Sequence, residues 1–192
     1  GAASLMRVQK RPLPATMNGS AFIALRMRFA ASARLLDRPD GSAIEAIALD
    51  DGSSEVLGYA GCALCDLGNY RHGIDTLQRA LDLNPSNAQA HVAMGAALAM
   101  NRKLDAGIER MRYGMKISPR DRRLGFWGWL LGRFLLRADR VDEALVEARL
   151  SCRADPRFHL PHVLKAASLD RLGASTEAVA ALSAARQRRH QL

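Results

Sequence analysis

Apolar and small side chains recur along this chain three and four residues apart, and the pattern itself returns after thirty-four residues. Residues 57–64 match 91–98 in this way, and residues 73–80 match 107–114. A spacing of three and four places side chains on one face of an α-helix. A fixed period of this length indicates stacked helix pairs, because one pair cannot bury its apolar face alone.

Breaks in the pattern locate the helices of the two clearest pairs. Gly68 supplies a break inside the first pair, since glycine tolerates the positive φ at which helices end. Asn84 and Ser118 each precede a proline, which pushes the residue before it out of the helical region. The sequence therefore predicts helices near residues 54–67, 70–83, 88–100 and 104–117.

The third pair is longer than the others. Pro119 and Pro156 lie thirty-seven residues apart, three more than the period of the pairs before them. We expect the extra residues near 120–125, as one more turn on the helix that carries Phe126.

Outside the clear pairs the pattern is weaker. Ser20 predicts the start of a helix that runs to about Leu36, and a shorter helix is expected to end at Leu49. The predicted division is a tail or linker at 1–18, a degenerate helix pair at 19–53, and four units at 54–87, 88–121, 122–158 and 159–192.

Composition agrees with an all-α protein. Of the 192 residues 48% are hydrophobic but only 5% are aromatic, which suits closely packed helices better than a β-sheet. The longest apolar stretch, at 124–136, is interrupted by Arg133 and is shorter than the ~20 residues that cross a bilayer. Three cysteines cannot all pair, so we expect reduced thiols, a cytoplasmic protein and no membrane partner.

Positive charge is concentrated in the second part of the chain. The net charge is +9, of which residues 120–192 supply +6 through 14 Lys and Arg against 8 Asp and Glu. Such an excess favours a partner of acidic character.

A basic surface is the feature that could bind nucleic acid. Its residues would be Arg120, Arg122, Arg123, Arg149, Arg153 and Arg157. Helical-repeat proteins that read RNA bases use polar side chains repeated at equivalent positions. The equivalent positions here are Tyr59, Ala93, Leu130 and Leu164, which form no polar code. A solvated charged face is therefore the default interpretation, and nucleic-acid binding is kept as an alternative.

No arrangement of residues predicts an enzyme. The sequence has no glycine-rich phosphate loop and no nucleophile accompanied by a base and an orienting group. Cys62 and Cys65 lie one helical turn apart, but a structural zinc site needs four ligands, and small buried thiols explain the pair better. We expect no catalytic residue, no cofactor and no metal.

An aromatic and basic stripe is the most distinctive cluster. Phe126, Trp129, Arg133 and Arg137 follow one another at helical spacing, while Trp127 is expected to point elsewhere. Aromatic residues and arginine are typical of interface hot spots. The alternative is that the aromatic side chains fill space created by the extra residues of the third pair.

These residues together resemble the tetratricopeptide repeat (TPR). That family has a small residue where the two helices of a unit cross, another early in the second helix, and a proline that closes the unit. The first position is held by Gly61, Gly95, Gly132 and Ala166, and the second by Gly73, Gly107, Ala144 and Ala178. The aromatic residue usual near the start of a unit is absent, with Leu57, His91, Gly128 and His162 in its place.

The resemblance implies a right-handed α-solenoid whose concave groove, lined by the first helix of each unit, receives a peptide or helix from a partner. By register, the groove residues would be Tyr59, Cys62, Met100, Phe126, Trp129, Arg133, Arg137, Val163 and Arg171. The expected function is a non-catalytic protein–protein interaction module. Residues 75–156 also resemble TPR extensions of bacterial cyclases and transcription regulators, so a regulatory or self-assembling segment of a larger bacterial protein is the alternative.

Overall fold

The structure, a computed structural model, describes residues 42–189, and this part of the chain is helical without a strand. Its helices are α1 (Ser42–Leu49), α2 (Ser54–Asp66), α3 (Tyr70–Leu83), α4 (Ala88–Met100), α5 (Leu104–Ile117), α6 (Leu124–Arg137), α7 (Val141–Ala154), α8 (Leu160–Arg171) and α9 (Ser175–Arg189). No helix within 42–189 has both the length and the apolar character needed to span a bilayer.

The helices lie where the apolar pattern predicted them. The predicted helices at 54–67, 70–83, 88–100 and 104–117 are found as α2 to α5, with a difference of one residue at the end of α2. The short helix expected to end at Leu49 is α1. The tail at 1–18 and the helix predicted from Ser20 to Leu36 lie outside the described residues.

The prediction of an extra helical turn in the third pair is wrong. Helix α6 has 14 residues against 13 in α4, so it gains one residue rather than a turn. The connection before it spans 118–123, two residues more than the connection at 84–87. Asp121 holds the longer connection, because its carboxylate accepts bonds from the backbone and side chain of Arg123, both at 2.8 Å. The extra chain is therefore mainly loop.

Small residues allow the paired helices to touch through their backbones. A Cβ atom placed on Gly95 would lie 2.6 Å from the carbonyl oxygen of Gly107, and one on Gly107 would lie 2.5 Å from that of Gly95. The corresponding distances for Gly61 and Gly73 are 2.9 and 2.8 Å. Real Cβ atoms do not approach backbone oxygen so closely, so the predicted role of these positions is confirmed.

Successive pairs form one continuous stack. Each first helix packs on the next, α2 on α4, α4 on α6 and α6 on α8, so that the first helices form a layer. Helix α4 contributes to both large apolar clusters, Ala90 and Met94 to one and Val92 and Ala99 to the other. A helix that is apolar around most of its circumference is buried on most sides, which explains its central position.

Candidate partner-binding cavity

A cavity opens to solvent between the first helices α2, α4 and α6. It is lined mainly by apolar side chains, and its volume is about 50 Å³. An apolar cavity of ~150 Å³ holds a benzene molecule, so this one suits the end of a single side chain. The lining residues are Cys62, Cys65, Asp66, Gln89, Val92, Ala93, Ala96, Ala97, Met100, Phe126, Trp127, Trp129, Leu130 and Arg133.

Aromatic side chains of α6 form the floor of this cavity. The rings of Phe126 and Trp129 lie 5.4 Å apart, and Phe158, which follows α7, meets Trp129 edge to face at 5.7 Å. Phe126 and Trp129 are only 4% and 5% exposed. Ring pairs at these distances are favourable packing contacts. The floor is therefore part of the core, and only small portions of these rings face the opening.

Arg133 is the cationic group of the cavity. Its guanidinium lies over the Trp129 ring, 5.0 Å from the ring centre, in a cation–π contact. Burial, together with the nearby positive charge of Arg137, lowers the pKa of Arg133 from its ordinary value. No ion pair of the described residues includes Arg133. The side chain is therefore charged and short of an anionic partner.

Asp66, the last residue of α2, is the acidic group of the same cavity. Its carboxylate accepts one bond, from the Cys62 thiol, at a sulfur–oxygen distance of 3.9 Å. Burial raises the pKa of Asp66 to about 7. Burial also raises the pKa of Cys65 to about 12 and that of Cys62, so both thiols are neutral near pH 7.

Comparison with known proteins identifies the repeat and the fold. Residues 61–101, which include the Gly95 crossing, match the family described as TPR repeat. Among solved structures, a crystal structure of MamA is 18% identical over 80% of this chain and 90% of its own, with a TM-score of 0.66. Residues 61–101 therefore carry the TPR repeat, and the chain as a whole has the fold of TPR structures. The predicted all-α, right-handed TPR solenoid is thereby confirmed.

Two further structures support the TPR fold. MamA 41-end from Desulfovibrio magneticus RS-1 is 17% identical, covers 91% of this chain and 98% of its own, and has a TM-score of 0.65. YrrB, described as a TPR protein with an unusual peptide-binding site, is 14% identical over 79% of this chain and 76% of its own, with a TM-score of 0.63. Comparison with curated proteins finds no match. Identities this low establish the fold alone.

The TPR layer brings together five of the nine residues predicted for the groove. Cys62, Met100, Phe126, Trp129 and Arg133 line the cavity. Trp127, which was expected to point elsewhere, also contributes to its lining. Its ring is buried and lies under the Arg123 guanidinium, 4.7 Å from the ring centre, whereas Arg133 lies over Trp129.

The other four predicted residues lie around or beyond the cavity. The Tyr59 hydroxyl accepts a bond of 2.7 Å from Arg123. Arg137 is exposed one turn beyond Arg133, and Val163 is 40% exposed on α8. Arg171 already bonds within the chain, to Asp139 and to the backbone carbonyl of Leu136. The Arg171 side chain is therefore engaged within the chain, whereas it was expected to be free to bind a partner's charge.

Arg123 is a rim residue that the sequence pattern did not reveal. It pairs with Asp121 at 2.6 Å and donates to Tyr59 and to the Gln89 amide oxygen, the latter at 3.1 Å. The network joins the 118–123 connection to α2 and α4. Arg123 had been grouped with a solvated basic surface, but its bonds direct it into the TPR layer instead. The Asp-x-Arg spacing was the only signal for it.

Proposed function

We propose that this protein is a non-catalytic interaction module that binds a segment of another protein in the groove formed by its first helices. The observation that carries the proposal is the cavity itself, which combines an apolar lining with Arg133 and has no anion paired to it within the described residues. An apolar site with a few placed polar groups is typical of ligand recognition.

The partner segment would place one apolar side chain into the cavity and one acidic group near Arg133. The apolar side chain would lie against the exposed portions of the floor and against Met100. Arg137 lies one turn further along α6 and would extend the positive field toward solvent. Such a partner would be the acidic, apolar-containing segment that the charge excess and the stripe on α6 predicted.

Ala96→Lys is expected to weaken peptide binding more than tenfold. Ala96 is a half-buried residue of α4 in the cavity wall, and a lysine there would occupy the space that the partner's apolar side chain needs. Because alanine and lysine have similar helix propensities, the fold should be retained. The probe is a peptide selected from a phage-displayed library of random dodecamers, and affinity is measured by calorimetric titration.

Ala180→Lys is the matched control, since Ala180 is exposed on α9, away from the cavity. This variant should bind the selected peptide like the unsubstituted protein, and both variants should melt within a few degrees of it. Equal affinity of the two variants, or failure of the library to yield any binding peptide, would contradict the proposal.

The alternative functions gain no specific support from the structure. Arg149, Arg153 and Arg157 are exposed, as a solvated charged face requires. The possibilities of a nucleic-acid surface and of a regulatory or self-assembling segment of a larger bacterial protein stay predictions. The cytoplasm stays the expected compartment, because Cys62, Cys65 and Cys152 are free thiols.

A further inference from the structure

The cavity contains two ionisable side chains of opposite sign that do not pair with each other. Asp66 enters it from the end of α2, and Arg133 enters it from α6. The described ion pairs include neither residue. The positive charge that affects Arg133 is that of Arg137. The two groups therefore lie in one cavity as separate, uncompensated sites.

The position of Asp66 is unfavourable in the isolated protein for three reasons. Its carboxylate is half-buried beside apolar side chains, where a charge loses hydration. It is the last residue of α2, where the negative end of the helix dipole repels a carboxylate. Its single described hydrogen bond comes from a thiol, which is a weak donor. An alanine or leucine would serve packing better here.

We propose that the groove reads the order of charges along its bound segment: a basic side chain docks at Asp66, an acidic side chain docks at Arg133, and an apolar side chain lies between them. The inference rests on the proposed function and adds the partner's charge pattern and its direction. Asp66 belongs to the first helix pair and Arg133 to the third. A segment that satisfies both can bind in one orientation only, since reversal would bring like charges together.

Selection from the random dodecamer library tests the charge order. On the unsubstituted protein, selected peptides should carry a basic residue on one side of an apolar residue and an acidic residue on the other. Selection on Asp66→Asn should lose the enrichment of basic residues and keep that of acidic residues. Arg133→Gln should show the opposite change. Asparagine keeps the shape of aspartate without its charge, whereas glutamine removes both the charge of Arg133 and the guanidinium that lies over the Trp129 ring.

A double-mutant cycle on one selected peptide gives the quantitative test. Replacing its basic residue by glutamine should weaken binding about tenfold on the unsubstituted protein, as expected for a charged hydrogen bond. The same replacement should change binding less than twofold on Asp66→Asn. Equal losses on both proteins would overturn the charge-order proposal. If Ala96→Lys still abolished binding in that case, the groove would remain the binding site.

The pH dependence of binding distinguishes a charge interaction at Asp66 from a purely structural role, because a structural role would not make affinity depend on pH. Because the pKa of Asp66 is about 7, its carboxylate becomes protonated and loses attraction for a cation as the pH falls from 8 to 6. The neighbouring ionisable groups on its own side are Cys62, Cys65 and Tyr70, whose pKa values are all raised, and Arg133 enters the same cavity from α6. None of the first three titrates between pH 6 and pH 8, and the guanidinium of Arg133 stays charged throughout. If the protonated form binds about tenfold more weakly, affinity for the basic-residue peptide should fall about fivefold over this range.

The same pH titration on Asp66→Asn is the control. Its affinity should be unchanged between pH 8 and pH 6, and so should that of the unsubstituted protein for the peptide whose basic residue is glutamine. A pH dependence that persists in Asp66→Asn would assign the titration to another group and would overturn the role of Asp66.

Discussion

Trp127→Ala is expected to reduce the free energy of unfolding by about 3–5 kcal/mol, the range for a buried large side chain that leaves a cavity. Trp127 is 1% exposed and belongs to the larger apolar cluster, between α4 and the later helices. The substitution also removes the surface under the Arg123 guanidinium. Arg123 would then hold the 118–123 connection less firmly against the first helices.

Urea unfolding followed by circular dichroism at 222 nm measures this loss, because the helical signal does not depend on the removed indole. Trp127→Phe is the graded control, which keeps an aromatic ring in the site and should lose clearly less stability. If Trp127→Ala unfolded at the same urea concentration as the unsubstituted protein, the cluster that supports the cavity floor would be wrongly placed.

Gly107→Ala is expected to lower the free energy of unfolding by about 2–3 kcal/mol, although alanine is the better helix former. A Cβ atom there would meet the backbone of the paired helix, 2.5 Å from the carbonyl oxygen of Gly95 and 2.6 Å from the amide nitrogen of Ala99. Neither atom belongs to a flexible side chain, so α4 and α5 would have to separate.

Gly52→Ala is the matched control for this substitution. Gly52 lies in the turn before α2, and a Cβ atom there would have only an ordinary contact, 3.8 Å from a carboxylate oxygen of Asp50. The free energy of unfolding of Gly52→Ala should differ from that of the unsubstituted protein by less than about 0.5 kcal/mol, as for most surface substitutions. If Gly107→Ala were as stable as Gly52→Ala, close backbone contact would not be what joins the helices of a pair.

The sequence predicted the stack because local chemistry and the fold agree at the helix crossings. Gly95 and Gly107 recur one period after Gly61 and Gly73, and backbone contact at each crossing requires small residues. Gly68, Pro85 and Pro119 marked three of the breaks, whereas the break between α4 and α5 has neither residue type and followed from the repeat period. The helix boundaries of the first two pairs agree with the prediction to within one residue. Periodicity specifies these features directly, since each depends on residues close together in sequence.

The third pair was harder to predict because its extra residues have no counterpart in the repeat. Whether they extend a helix or a loop depends in part on long-range contacts, here those of Arg123 with Tyr59 and Gln89. Helical register assigns a side chain to one face of its own helix, but it does not predict the contacts of a loop residue such as Arg123.

The candidate cavity was predicted only in part. Helical register placed Met100, Phe126, Trp129 and Arg133 on the inner face of first helices, and all four line the cavity. The sequence did not show that Arg171 bonds to Asp139. Nor did the sequence show that Asp66 and Arg133 line one cavity without forming an ion pair. That depends on distances between helix pairs, which the repeat period does not determine.

Hydrogen–deuterium exchange with and without a library-selected peptide tests the central claim most directly, because it shows which residues of this protein the bound peptide covers. The account predicts slower exchange in residues 89–100 of α4 and 126–133 of α6, with no change in α9. Protection confined to α7 and α9, with 89–100 and 126–133 unchanged, would place the partner on the other face and contradict binding in the groove.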